Sequence, residues 1–333
     1  MQKYIKKYAF ILWLLGAVLL AIIIPDPAAK GGFFHTEITT NLGVWIIFLI
    51  QGLSLPTTEL TSGYRPKRLH AFVLSWNYLL FPLVTGLLLF PLSLLFPEEL
   101  RLGFWLLAIL PTTVSSAITF TAVSGGNVSN AIFSTVLSNL ISVLIVPTFA
   151  LSYLAIETTS SISLIPLFAK LGILIILPLI IGQIVRQVSP VKATLIAKKT
   201  KLIGSGIIIF IVHAAFANSV TSGFLDGLAL LSVISIIFSV LIVLLVISGL
   251  VWWSSGWFHL KRGQRVTAFF CASQKSLATG LPLATSILVA APGFVDPAVV
   301  LIPLMCYHPF QLMFAGWLSG RFKGESYTVL SSR

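Results

Sequence analysis

Apolar runs long enough to cross a bilayer, about 17 to 25 residues each, recur along the chain between short polar or basic connections. They fall at about 8 to 24, 40 to 60, 69 to 91, 103 to 124, 128 to 153, 167 to 186, 202 to 221, 227 to 252, 265 to 290 and 298 to 320. This pattern predicts an all-α membrane protein of ten transmembrane helices. The opening Lys3, Lys6 and Lys7 followed by an apolar run has the form of a secretory signal, with Pro25 to Ala29 as a cleavage region. An uncleaved first helix is the better reading, because losing it would leave nine spans and spoil the charge pattern.

With a cytoplasmic N-terminus, the inside connections hold Lys3, Lys6, Lys7, Arg65, Lys67, Arg68, Arg186, Lys192, Lys198, Lys199, Lys201, Lys261, Arg262, Arg265, Arg321, Lys323 and Arg333. The outside connections hold Lys30, Arg101 and Lys170. Such a bias is what the positive-inside rule requires, so both termini are expected in the cytoplasm and the protein in the cell (plasma or inner) membrane. The Ser- and Thr-rich outside connection from Glu157 to Pro166 divides the spans five and five, giving expected halves of 1–160 and 161–333. An odd number of spans per half forces opposite orientations, so a structural repeat would be inverted.

Composition narrows the class further. A chain of 333 residues with 57% apolar and 9% charged residues cannot be an ordinary water-soluble globule. The net charge of +12 does not mark a nucleic-acid face, because the basic residues are scattered in loops between spans. Cys271 and Cys306 lie in apolar spans and imply neither a disulfide framework nor a metal site. A GxSxG motif is missing, so an intramembrane hydrolase is not supported and the chain reads as a non-enzyme. No nucleotide-binding motif and no repeated pore-lining ring is present, which leaves a secondary transporter ahead of a primary pump or a channel.

The ninth run carries Lys275 near its middle, beside Gln274 and between Ser273 and Ser276. An ammonium at mid-membrane costs roughly 2.5 to 3.5 kcal/mol on insertion scales, so it is expected to face protein or a wet cavity. Snorkelling is the weaker explanation, since the ten residues from Arg265 to Lys275 span about 15 Å at the helical rise. Gly280 and Pro282 follow, and the proline leaves the carbonyl of Ala278 without its usual partner, which places the expected helix break just past the lysine. The fourth run is interrupted by Pro111 and ends at Gly125 and Gly126, with Thr112, Thr113, Ser115, Ser116 and Thr119 between. Broken helices at matching positions of two inverted halves point to a transporter's binding site.

Asn77 precedes Pro82 by five residues in the third run, and His308 precedes Pro309 in the tenth. Gln51, Asn130, Asn139, Gln183, His213, Asn218 and Gln311 complete the polar inventory within the spans. Most of these need do no more than hydrogen-bond a neighbouring helix, at about 0.6 kcal/mol. Glu59, at the cytoplasmic end of the second run, is the sole acidic residue within the runs, so a carboxylate site for a metal or proton is not visible.

GLSLPTTEL at 52 to 60, the Asn77 to Pro82 spacing, PTTVSSAITFTAVSGGN at 111 to 127, SQKSLATGLP at 273 to 282 and the Tyr307, His308 pair together resemble the bile acid:sodium symporter family, in its divergent symporter-like (SBF-like) branch. The resemblance implies a panel of spans one, two, six and seven beside a core of the other six, with the broken fourth and ninth helices crossing in the core. It implies a sodium site carried over to Asn77, Ser116, Thr135 and Gln274, and a substrate site at Lys275, His308, Thr113, Ser115 and Gln274. The departures are that the family's fourth-span asparagine falls on Ala117, its ninth-span glutamate on Phe270, and the asparagine after the glutamine on Lys275. A lost anionic ligand and a gained cation argue against sodium binding in the family's manner.

The resemblance therefore implies a transporter of a small organic, anionic solute working by alternating access. Sodium or a proton is the coupling ion, and Lys275 either replaces the sodium or releases a proton during the cycle. The alternative it implies is a membrane regulator of calcium homeostasis on the same fold, which does not transport. The partners expected are the small-molecule substrate and the lipid bilayer, with no nucleic acid, and the sequence does not specify an oligomeric state.

Overall fold

The computed structural model describes residues 2–54, 63–92, 96–157, 164–223, 230–290 and 295–331, and every regular element among them is a helix. In chain order these are α1 (Gln2–Ile23), α2 (Thr36–Ser54), α3 (Lys67–Leu89), α4 (Glu98–Ile109), α5 (Val114–Val123) and α6 (Val128–Glu157). They continue with α7 (residues 164–188), α8 (Pro190–Thr221), α9 (Leu230–Ser255), α10 (Arg262–Ser273), α11 (Leu277–Ala290) and α12 (Pro297–Ser331). Among the described residues seven helices, α2, α3, α6, α7, α8, α9 and α12, are long and apolar enough to cross a membrane. The pair α4 and α5, bent by 53° at its break, makes an eighth. The end of the second apolar run with Glu59, the midpoint between the two expected halves, the start of the eighth run and Arg333 lie outside the described residues.

Two expectations change. The basic stretch from Arg186 to Lys201 is not a loop: the chain turns at Ser189 and α8 begins at Pro190. Proline is suited to a first helical turn, and the alanines and lysines that follow are good helix formers. The ninth run does break beside Lys275, but at residues 274–276 rather than at Gly280 and Pro282, which lie inside α11. Pro282 removes a single helical bond, whereas the backbone at 274–276 finds partners on other helices, so the break settles there.

In α3 the backbone widens over Trp76–Leu80, where the N–H of Phe81 bonds the carbonyl of Trp76. Pro82 follows with no N–H to give. The carbonyl of Asn77 thereby loses both of the donors that a regular or a widened turn would bring, and it is left facing the neighbouring helices.

Helices α2, α7 and α8 pack on one another with α1 against α8, α4 lies along α12, and α10 packs against α3, α5, α6 and α9. The crossing of α2 with α7 depends on glycine. A Cβ added at Gly182 would lie 2.5 Å from the carbonyl oxygen of Leu49 and 2.8 Å from the nitrogen of Leu53. This close approach brings side chains of α7 to the backbone of α2: Gln183 donates to the carbonyl of Gly52, and Arg186 Nη1 donates to that of Leu53 at 2.7 Å.

Candidate functional site

The two helix breaks meet. After α4 the chain runs extended through Leu110 to Thr113, and between α10 and α11 it runs extended at Gln274. The N–H of Ser276 donates to the carbonyl of Pro111 at 2.9 Å, joining one break to the other through the backbone. Side chains reinforce the joint. Thr113 caps α5, its hydroxyl lies 2.5 Å from that of Ser116, and Ser116 Oγ donates to Gln274 Oε1 at 2.9 Å.

Lys275 sits inside this joint with 0% of its surface exposed. Its Nζ donates to three backbone carbonyls, Ala108 at 2.7 Å, Leu110 at 2.8 Å and Asn77 at 3.0 Å. Each of those carbonyls is free for a reason written in the sequence. Pro111 ends α4, and the N–H of Thr112, which a continued helix would give to Ala108, instead approaches Ser138 Oγ at 3.3 Å. Leu110 is already extended, and Asn77 loses its donors to the widened turn before Pro82. An ammonium has three N–H groups, so all of its hydrogen-bonding capacity is committed to this cage. The Nζ also stands 4.1 Å from the centroid of the Phe81 ring, and the C-terminal end of α4 contributes the negative pole of a helix dipole. The charge is held by oriented dipoles and a ring face, and none of these partners is a carboxylate.

Gln311 holds the lysine's own backbone. Its Oε1 accepts the N–H of Lys275 at 2.7 Å, and its Nε2 donates to the carbonyl of Lys275 at 2.7 Å and lies 2.8 Å from His308 Nδ1. One side-chain amide thus replaces both backbone bonds that the break removes and ties the half-buried His308 to the joint. Tyr307, fully buried, donates from its hydroxyl to the carbonyl of Ser273 at 3.0 Å. A second set of ties reaches across to α2. Thr279 Oγ1 donates to Asn139 Oδ1 at 2.9 Å, and Gln51 Nε2 approaches Asn139 Oδ1 at 3.3 Å and Thr279 Oγ1 at 3.2 Å.

Of the residues singled out from the sequence, Lys275, Gln274, Ser116, Thr113 and Asn77 come together here, and His308 joins through Gln311. Asn77 Nδ2 donates to Ser138 Oγ at 3.2 Å and to the carbonyl of Cys271 at 3.3 Å, while its Oδ1 has no partner. Gln274 Nε2 is likewise buried and unpaired. Thr135 bonds the carbonyl of Ile132 in its own helix at 3.0 Å, and Ser115 is exposed, so neither is hydrogen-bonded into the joint. Of the four side chains expected around sodium, Ser116 and Gln274 are hydrogen-bonded to each other, and three backbone carbonyl oxygens surround the lysine nitrogen. Ala117 and Phe270 are both fully buried, and Phe270 stacks on Phe120 at 5.7 Å, an apolar contact where a carboxylate ligand would otherwise reach.

Gln311 and the carbonyl cage are what reading the sequence missed. The signal for Gln311 was its position three residues after His308, which puts both on one face of α12. The cage is made of backbone, and only the two prolines, Pro82 and Pro111, announced that carbonyls would be free.

The sequence profile of the SBF-like CPA transporter family matches residues 8–324. The chain is 31% identical over 338 residues to Sodium/bile acid cotransporter 7 of Danio rerio, covering 96% of this chain and 97% of that one. It is 28% identical over 337 residues to Sodium/bile acid cotransporter 7 of Mus musculus, covering 97% of each. An uncharacterized protein of Pseudomonas aeruginosa is 31% identical over 314 residues, covering 94% of this chain and 92% of that protein.

Proposed function

Because the chain belongs to the SBF-like CPA transporter family, we propose that it is a secondary transporter of a small organic, anionic solute, working by alternating access with Lys275 as a fixed cation in place of a coupling sodium ion. The observation that carries this reading is the cage of three backbone carbonyls around Lys275 Nζ, an arrangement that suits a small cation and here receives an ammonium. The fixed charge holds the broken helices together and makes the surrounding potential positive, which favours an anion nearby. Since the lysine's N–H groups are all committed, direct contact with the solute falls to His308, Thr113, Ser115 and the unpaired amide nitrogen of Gln274.

In this reading the twelve helices make ten spans, with α4/α5 and α10/α11 as the two broken ones, in inverted halves 1–160 and 161–333. Helices α1, α2, α7 and α8 form the panel and the others the core, and both termini are cytoplasmic. The packing of α2, α7 and α8 on one another, with α1 against α8, supports the division, and the hydrogen bonds from Gln51 to Asn139 and Thr279 are then ties between panel and core that must part when the two move. Sodium coupling, which the relatives' names carry, is dispensable here.

The test is a screen of organic anions for thermal stabilisation of the purified protein, followed by uptake of the stabilising compound into proteoliposomes containing this protein alone. Uptake without a sodium gradient is expected. Binding without flux would overturn the transporter reading in favour of a membrane regulator.

A further inference from the structure

Between α2 and α8 an apolar groove of about 380 Å³ opens on the outer surface of the bundle, lined by Leu42, Gly43 and Ile46 on one side and Ile203, Gly206 and Phe210 on the other. Leu42 and Ile203 are 56% and 53% exposed, as side chains that meet lipid are. Two glycines shape the groove. At Gly43 the helices come close, and an added Cβ would lie 2.7 Å from Ile207 Cγ2. Gly206 is exposed, and a Cβ there would meet nothing within 4 Å, so its missing side chain leaves the space open. Thr39 also lines the groove, but its hydroxyl already donates to the carbonyls of Phe34 at 3.0 Å and His35 at 3.2 Å. The lining therefore suits an alkyl chain and not a polar solute.

One end of the groove carries a charge. Lys199, Ile203, Gly206 and Phe210 are spaced four, three and four residues apart, so they share one face of α8. Lys199 is exposed and stands about 6 Å along the helix axis from Ile203. The apolar span of α8 begins at Leu202, which puts Lys199 just outside it, where lipid headgroups lie. Neither α7 nor α8 contains an acidic residue. Helices α2 and α8 run antiparallel, with Gly43 against Ile207 and Ile50 nearest Gly204, so Glu37 in the first turn of α2 stands at the opposite end. An apolar groove closed at one end by an ammonium is complementary to a molecule with an alkyl chain and an anionic head.

We infer that the groove between α2 and α8 binds one chain of an anionic phospholipid, whose phosphate is held by Lys199 in the leaflet on the side of the α7–α8 turn. Other occupants fit less well. A second copy of the chain, docked by this face about a two-fold axis, would set Lys199 against its own equivalent, like charge on like charge. A lipid without net charge would leave the ammonium without a counter-charge. The bound chain would bridge α2 and α8, and the site lies on the lipid-facing side, so it stands whether or not the protein transports.

The test titrates delipidated full-length protein in micelles with dioleoylphosphatidylglycerol and, separately, with dioleoylphosphatidylcholine, which share their chains and differ in net charge. Native mass spectrometry counts the bound lipids and gives the dissociation constant of the first. Phosphatidylglycerol is expected to bind about fivefold more tightly. Lys199→Gln should bring the two lipids within about twofold of each other, whereas Lys67→Gln, at an exposed lysine on α3, which forms no part of the groove, should leave the preference intact. Gly206→Leu fills the groove without displacing a neighbour, so it should abolish the first binding event for both lipids and leave the thermal midpoint of the lipid-free protein unchanged. Glycerol phosphate, which has the charge and no chain, should not displace phosphatidylglycerol at equal concentration. Equal affinity for the two lipids, a preference that survives Lys199→Gln or falls as far in Lys67→Gln, unchanged binding to Gly206→Leu, or displacement by glycerol phosphate overturns the inference.

Discussion

Replacing Lys275 with methionine keeps a similar side-chain length and removes the charge and all three donors. The carbonyls of Asn77, Ala108 and Leu110 are then left facing a thioether in a site with no exposed surface. A buried acceptor without a donor costs about 1 to 3 kcal/mol, so the three together cost roughly 3 to 9 kcal/mol. Loss of the contact with the Phe81 ring adds about 1 to 2 kcal/mol. Against this stands the relief of not burying an ammonium, roughly 2.5 to 3.5 kcal/mol. The balance is a destabilisation of about 4 kcal/mol, large beside the typical value for a polar contact between membrane helices. Reversible unfolding in mixed micelles, followed by tryptophan fluorescence, reads the difference directly. A methionine variant as stable as the parent would show that the carbonyls had other partners available and would refute the cage as an energetic feature. Folded molecules of the variant should also lose solute binding or acquire sodium dependence, and unchanged transport per folded molecule would leave the lysine with a structural role alone.

Gln311→Leu removes both bonds to the backbone of Lys275 and should cost roughly 2 to 6 kcal/mol by the same unpaired-group argument, whereas Gln311→Met, a swap of similar shape, should cost as much because shape is not what the glutamine supplies; the unfolding assay separates this from a packing effect. Gln51→Leu breaks the ties from α2 to Asn139 and Thr279, so stability should fall by no more than about 1 kcal/mol while cysteine accessibility in the cleft between α2 and α11 changes; an unaltered accessibility pattern would count against a gating role. In a background lacking Cys271 and Cys306, single cysteines at Lys30 and Lys199, both exposed, should react with an impermeant reagent from opposite sides of the membrane. Reaction of both from one side would end the inverted arrangement.

How much could be read in advance depended on whether the information was carried by side chains or by backbone. Pro111 marked the first break correctly because an extended residue before proline and a missing N–H act locally. Pro282 misled for the same reason turned round: a single lost helical bond is tolerable, and the position of the second break was decided by partners far away in sequence, Gln311 and Pro111. The lysine announced itself, since a charge at that depth in an apolar run must find partners within the protein, but its surroundings did not. The widened turn at Trp76–Leu80, which frees the carbonyl of Asn77, leaves only a proline as its trace in the sequence. Thr135 and Ser116 looked equivalent as hydroxyls, yet one bonds its own helix and the other reaches Gln274, a choice fixed by helix rotation that residue type does not encode.

The claim that Lys275 stands where a coupling ion would sit is tested most directly by sodium itself. Thermal unfolding of the purified protein in nanodiscs is followed while sodium chloride replaces choline chloride at constant ionic strength, for the parent protein and for Lys275→Asn. A ligand that binds only the folded state raises the midpoint as its concentration passes its dissociation constant. The parent protein is predicted to show the same midpoint in both salts, because the ammonium already fills the carbonyl cage, and Lys275→Asn is predicted to be less stable and to regain part of the loss as sodium is added. A sodium-specific rise in the midpoint of the protein with Lys275 intact would contradict the account.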